Sequence, residues 1–111
     1  MYNEATFVGN LTKDIEFTKT EGGVSIAKAG VATNDRYKTK SGETKDEVCF
    51  MDFEMFGGLA DVANQYLKKG SRVLLVGAII YKQWEKDGQK HSKHILRVET
   101  MKMLDNKPDE N

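Results

Sequence analysis

The stretch VCFMDFEMF, residues 48–56, has two different faces if it forms a β-strand, because successive side chains of a strand point to opposite sides of the sheet. The odd positions are all apolar and suit a core: Cys49, Met51, Phe53 and Met55. The even positions combine two phenyl rings with two carboxylates: Val48, Phe50, Asp52, Glu54 and Phe56. Rings on a solvated face suit stacking on flat ligands, and every nucleic-acid base offers a π-face. The strand therefore indicates a surface that binds nucleic acid.

Around this strand, the sequence predicts four more strands and one helix. The strands are predicted over residues 5–11, 24–33, 72–84 and 93–103, with turns at Gly22-Gly23 and Asp87-Gly88. The helix is predicted over residues 59–67, because its apolar residues recur with helical spacing. We expect Tyr66 to pack on the apolar side of this helix and Gly70 to end it. A polar loop is predicted over residues 38–47.

Glycine positions and apolar phase add local detail. Along the second predicted strand, the apolar residues change from one set of alternate positions to the other near Ala27 and Lys28, which predicts a bulge there. Gly9 in the first strand marks a bulge or a close backbone approach. Residues 73–80 are apolar or small on both faces, so we expect one face in the core and the other against a second subunit. Phe7 and Phe53 are assigned to the core.

The order of three strands, a helix and two strands predicts an all-β protein with one short helix. The arrangement is that of a five-stranded OB-fold barrel with its helix between strands 3 and 4. We expect one such domain over residues 1–104, followed by a polar tail over residues 105–111 with nothing to pack. This fold binds oligonucleotides, oligosaccharides and proteins alike, so the fold alone does not decide the ligand.

Composition bounds the function only weakly. Seventeen basic residues balance seventeen acidic ones, but residues 71–104 hold seven basic against three acidic residues. A local basic excess can follow a phosphate backbone, although an ordinary solvated surface would look the same. Cys49 is the single cysteine, which excludes an internal disulfide and suits a buried thiol in a reducing compartment. Neither a signal peptide nor a membrane-length apolar run of roughly 20 residues is present in the sequence, so we expect a cytoplasmic protein.

Five segments resemble the bacterial single-stranded DNA-binding protein family. They are VGNLTKD at 8–14, FGGLA at 56–60 with YLKKGS at 66–71, WEKDG at 84–88, and MKML at 101–104. The resemblance covers residues 3–104, with Ile15 where the family usually has proline. It implies a homotetramer that binds single-stranded DNA without sequence preference and protects exposed strands in replication, recombination and repair.

The resemblance also implies the base-stacking residues. The base-stacking positions of the family fall on four aromatic residues: Tyr37, Phe50, Phe56 and Trp84. Candidate phosphate contacts, for which a solvated surface is the alternative, are the basic residues Lys13, Arg36, Lys38, Lys82, Lys86, Lys93 and Arg97. Asp52 and Glu54 stand where relatives often have basic or neutral residues, so we expect weaker or more salt-sensitive binding.

The C-terminus bears on the expected partners. Bacterial members of the family continue into a flexible tail whose acidic tip docks partner proteins, whereas this sequence ends at Asn111 without one. Either the chain was cut after the barrel, or it is a tailless variant. Replication and repair proteins are therefore expected as partners only if a native acidic tail was removed.

Alternative functions remain at this stage. One is a primosomal accessory protein of the same family, a dimer with weaker DNA binding, and another is an OB module whose rings bind protein or oligosaccharide. A nuclease using Asp52 and Glu54 would need a metal ion, and we expect no enzyme and no cofactor. His91 and His94 lack a third ligand at suitable spacing, so we expect them to face solvent rather than a metal.

Overall fold

A computed structural model describes residues 1–105 of the protein, which form six strands and one helix. In chain order the elements are β1 Ala5–Leu11, β2 Glu16–Lys19, β3 Ser25–Lys38, β4 Thr44–Phe56, α1 Gly58–Tyr66, β5 Arg72–Lys86 and β6 Gln89–Met103. Apart from Asp105, the predicted polar tail lies outside the described residues.

Five of the strands close into a barrel. The sheet order is β1-β5-β6-β4-β3-β2, and an additional pairing of β1 with β3 completes the ring. The predicted fold class, a five-stranded OB-type barrel with one helix, is confirmed. The short polar strand β2 was not predicted; it pairs with β3 along one edge, with Phe17 opposite Ala27. In chain numbering the helix therefore lies between β4 and β5 rather than between the third and fourth strands.

The core lies inside the barrel and follows the alternation of its strands. Phe53 and Met55 of β4 are 1% and 0% exposed, and Val73 and Leu75 of β5 are fully buried. The predicted core position of Phe53 is confirmed, and Phe7 is a partly buried residue packed against the core. In β5 the remaining side chains from Leu74 to Ile80 are only partly exposed, apart from the buried Gly77.

Two hairpins extend beyond the core, which corrects the predicted boundaries. β3 and β4 pair without interruption from Ile26–Phe56 to Lys38–Thr44, so the loop predicted over residues 38–47 shrinks to residues 39–43. Cys49 lies on this projecting part and is exposed, so its predicted burial is wrong. Alternation assigned Cys49 to the correct side of β4, but this part of the hairpin extends past the barrel, and none of residues 1–105 form a second layer over that side there. The other hairpin, β5–β6, turns at Asp87 and Gly88 as predicted, with φ of 52° and 78°.

The bulge lies in a different strand from the one predicted. Pairing of β3 with β4 runs in step through Ala27 and Lys28, whereas the β5–β6 register shifts between Val76 and Gly77. A Cβ at position 77 would lie 2.0 Å from the Arg97 carbonyl oxygen, so only glycine fits where the β5 and β6 backbones approach each other at this point. The close backbone approach predicted at Gly9 is confirmed, since the Ala32 backbone lies directly against it.

Helix α1 packs against β3 and β4 and buries Ala60 and Ala63. Tyr66 is 58% exposed, so its predicted packing is wrong: the helix is small, and its buried side is made by alanines. The helix ends at Tyr66, with Leu67 already extended, so Gly70 does not end it. Gly70, at φ 93°, instead lies in the following turn, and its N–H donates to the Leu11 carbonyl. Within residues 1–105, no helix is both long and apolar enough to cross a membrane.

Candidate nucleic-acid interface

One face of the β3–β4 hairpin carries the two phenyl rings that the sequence placed together. Phe50 is 72% exposed and Phe56 is 38% exposed. Both lie at even positions of β4, opposite Ala32 and Ile26 of β3. The small Ala32 leaves the Phe50 ring uncovered. The hairpin thus presents two rings to solvent on one face, with two carboxylate positions between them.

Trp84 supplies a third exposed ring from the β5–β6 hairpin. It lies directly across the hairpin from His91, and the two rings are stacked, with centroids 5.5 Å apart and planes 19° from parallel. Trp84 keeps 44% of its surface exposed. A surface groove of about 450 Å³ runs beside these two rings and along Tyr81. The His91 imidazole therefore covers one face of the Trp84 indole.

Glu54 lies on the face of β4 that alternation predicted, but its predicted exposure to solvent is wrong. It was predicted on the solvated face, but its side chain is only 1% exposed, because cationic side chains reach across from β5 and β6 and cover it. Lys82 Nζ lies 2.8 Å from Glu54 Oε1, and Arg97 Nε donates to Glu54 Oε2 at 2.8 Å. Burial works to raise the pKa of Glu54, but hydrogen bonds and charge from Lys82 and Arg97 outweigh it and hold that pKa below its ordinary value.

Asp52 makes a second, more exposed ion pair that joins the two hairpins. Lys93 Nζ donates to Asp52 Oδ2 at 2.8 Å, and both side chains are half-exposed. The same ammonium lies 5.9 Å from the centroid of the Trp84 ring. Lys93 therefore connects the Trp84 ring of the β5–β6 hairpin to the face of the β3–β4 hairpin that carries Phe50 and Phe56.

Arg97 connects the buried Glu54 carboxylate to the Phe56 ring. Its guanidinium carbon lies 5.3 Å from the Phe56 ring centroid, within the range of a cation–π contact. Arg97 is also the residue opposite Glu54 where β4 and β6 run parallel. Three of the four predicted stacking residues, Phe50, Phe56 and Trp84, thus belong to one surface held together by ion pairs.

Tyr37 is the predicted stacking residue that this surface does not include. It lies at an odd position of β3 opposite Lys45, so local alternation directs it to the opposite face of the hairpin from Phe50. The ring is 44% exposed near the tip of the hairpin.

Most of the predicted phosphate contacts already have a carboxylate partner within residues 1–105. Besides the three cations near Glu54 and Asp52, Arg36 Nε donates to Asp46 at 2.9 Å, and Lys13 Nζ lies 3.6 Å from Glu16. Lys38 and Lys86, near the two hairpin tips, have no ion pair among these residues. Partners in sequence, such as Glu16 three residues after Lys13, could have been anticipated, but cross-strand partners could not.

Two members of the surface were missed. Lys28 of β3 lies opposite Glu54 and, with Lys82 and Lys93, lines a small cavity of about 120 Å³ between the hairpins. Lys28 lies at an even position of β3, so strand alternation could have placed it on this surface.

His91 was predicted to face solvent, and it is exposed, but it also stacks on Trp84. His94 is exposed and packs beside Tyr81, with ring centroids 5.0 Å apart. Over the part of the chain that the structure describes, no group of three or more His, Cys, Asp or Glu side chains could hold a metal ion.

Comparison with known proteins places this surface in context. A model described as the single-strand binding protein family matches residues 2–104. A protein named single-stranded DNA-binding protein from Wolinella succinogenes is 48% identical over 108 residues, which is 96% of this chain and 67% of that protein.

Solved structures agree on the fold. A deletion mutant of the single-stranded DNA binding protein from Thermus aquaticus superposes with a TM-score of 0.82 at 29% identity, covering 94% of this chain and 51% of that one. A Plasmodium falciparum SSB in complex with ssDNA superposes with a TM-score of 0.87 at 20% identity, covering 95% and 96% of the two chains, and supports the fold alone.

Proposed function

The chain belongs to the single-strand binding protein family, and we propose that it binds single-stranded DNA without sequence preference. Bases would stack on exposed rings while cations neutralise the phosphates between them. Its role would be to protect exposed strands during replication, recombination and repair, which would place it at the nucleoid in the cytoplasm.

The observation that carries this proposal is the joined surface of the two hairpins. Phe50, Phe56 and Trp84 expose ring faces along it, and Lys93 and Arg97 each contact one of these rings. Such alternation of π-faces and cations matches the alternation of bases and phosphates along a single strand. Tyr37, on the other face of the hairpin, would be reached only by a strand that passes around the hairpin tip.

Preference for single strands follows from stacking itself. A duplex hides its base faces inside the helix, whereas an unpaired strand offers one face per nucleotide. Each stacked base contributes ~1–3 kcal/mol by alanine substitution, and stacking tolerates any base. Phosphate contacts from Lys and Arg add affinity without reading sequence. Several of the cations here are already paired with a carboxylate. In place of the greater salt sensitivity expected from the sequence, we therefore expect a smaller salt dependence than the number of basic residues suggests.

Self-association is a second part of the proposal. On β5, the side chains of Leu74, Val76 and Ile80 are partly exposed, and Val8 on the neighbouring β1 is 44% exposed. Val8 pairs with Leu74, so these apolar side chains form a continuous patch across two strands. We propose that this patch is covered by a second copy of the chain within a homotetramer. Analytical ultracentrifugation would test the number of subunits.

The single tryptophan provides the direct test of the ligand. Trp84 fluorescence should be strongly quenched on titration with oligo(dT), and duplex DNA of the same length should not reverse the quenching. A Trp84→Phe chain, followed by the anisotropy of a labelled oligonucleotide, should still bind, because phenylalanine retains a stacking face. Absence of binding at low salt would refute the proposal and leave an OB module that binds protein as the better account.

A further inference from the structure

A buried carboxylate lies beneath the proposed binding surface without being part of it. The Glu54 side chain is 1% exposed, so a DNA strand on the surface could not touch it. Each oxygen faces a cation: Arg97 donates a hydrogen bond to Oε2, and the Lys82 ammonium lies 2.8 Å from Oε1 as an ion pair without hydrogen-bond geometry. The two cations are themselves partly exposed, at 47% and 38% of their side chains. Apart from the long-range effect of its charge, Glu54 can therefore influence a ligand only through these two side chains.

The geometry of Arg97 shows how it could act. Arg97 uses Nε to contact Glu54, which leaves the two terminal amino groups of the guanidinium directed away from that bond. The guanidinium lies 5.3 Å from the centre of the Phe56 ring. A base stacked on Phe56 would bring its own phosphate close to these amino groups. Guanidinium amino groups suit a phosphate because they offer two parallel donors.

We propose that Glu54 is a positioning residue for single-strand binding, which holds Arg97 and Lys82 in place so that both face the phosphates beside Phe56. The inference rests on the proposed function and deepens it. A carboxylate at this site would ordinarily oppose a polyanion by its charge. Here its ion pairs fix two flexible side chains before the ligand arrives, so that less rotamer freedom is lost on binding.

Asp52 provides a matched control, because it has the same charge on the same face but a different environment. Its side chain is half-exposed, and among residues 1–105 its one ion pair is with Lys93. Glu54→Gln and Asp52→Asn each raise the charge of the surface by one unit. If the carboxylates acted by charge alone, both substitutions would tighten binding. If Glu54 acts by position, the two substitutions shift the affinity in opposite directions.

The experiment measures the Kd for oligo(dT) at several salt concentrations in the full chain. We expect Asp52→Asn to bind about 2- to 5-fold more tightly at low salt. Glu54→Gln should bind about 5-fold more weakly, with a salt slope reduced by about 1, as for the loss of one phosphate contact. Tighter binding by both variants would overturn the inference.

Two further measurements separate position from folding. In an Arg97→Ala background, the Glu54→Gln substitution should lower affinity by less than about 2-fold, since its effect acts mainly through the missing guanidinium; an undiminished loss would overturn the inference. Arg97→Lys leaves the buried carboxylate and the net charge intact, and it should weaken binding by about 3-fold, because an ammonium lacks the planar fork of parallel donors that can hold Glu54 and a phosphate at once. Unchanged affinity there would also overturn it. Wild-type chain that fails to bind would instead refute the proposed function.

Discussion

Replacing Phe50 by alanine should separate binding from stability. Phe50 is 72% exposed, whereas Phe53, three residues later on the opposite face of β4, is 1% exposed. The two residues have the same side chain in the same strand. Phe50→Ala and Phe53→Ala therefore form a matched pair in which only the environment of the ring differs.

The magnitudes follow from that environment. Since only about a quarter of Phe50 is covered in the free protein, Phe50→Ala should lower the free energy of unfolding by less than ~1 kcal/mol. The loss of one stacked base should cost ~1–3 kcal/mol of binding, equivalent to a Kd increase of about 5- to 150-fold. Phe53→Ala should cost ~3–5 kcal/mol of stability, a large share of the ~5–15 kcal/mol typical of a domain.

Urea unfolding followed by circular dichroism would measure the stability of both variants, and Trp84 quenching by oligo(dT) would measure their affinity. Wherever Phe53→Ala remains folded, its affinity should match the wild-type value. Phe50→Ala with wild-type affinity and a stability loss above ~1 kcal/mol would refute the assignment, because the ring would then be a packing residue.

Three other outcomes are expected. Because the Glu54 pKa is lowered in the folded chain, the contribution of this carboxylate to stability is complete above the ordinary value of 4.5 and is lost as the pH falls through the folded pKa. Glu54→Gln should therefore make the free energy of unfolding less dependent on pH in this acidic range, as measured by urea unfolding at several pH values. Gly77→Ala would place a Cβ 2.0 Å from a backbone oxygen and should destabilise the chain by ~1–3 kcal/mol or more, which a lower Tm would show. As a control, Gly42→Ala, at a positive φ but with open space around it, should cost only ~1 kcal/mol of stability. Lys86→Ala should reduce the salt slope of DNA binding by about 1, and Arg36→Ala, already paired with Asp46, should reduce it less.

The sequence predicted the barrel well because its strands obey local rules. Alternation placed Phe53 in the core and Phe50 at the surface, and Asp87-Gly88 marked its hairpin turn. The same rule failed at Cys49, since alternation assigns a side of the strand but not how far the second layer extends. Strand β2 was missed because four mostly polar residues give too little apolar pattern.

The site was predicted less completely, because its essential contacts join distant parts of the chain. Glu54 is buried by Lys82 and Arg97, which come from the other hairpin. The pairing of Asp52 with Lys93 spans 41 residues. Charge and aromatic character mark such residues as candidates, but only the three-dimensional register shows which cations are already engaged.

The parallel pairing of β4 with β6 has a consequence for how the barrel opens. On this side the ring is closed by two residue pairs, Phe53 with Leu96 and Glu54 with Arg97, whereas each hairpin is paired along its full length. Local opening of the barrel into two hairpin units should therefore begin at this seam and at the β1–β3 contact, which is also closed by two residue pairs. A strand that contacts Phe50 and Trp84 would bridge both units. Its binding should slow amide hydrogen exchange along the seam, including at buried positions that the DNA never touches.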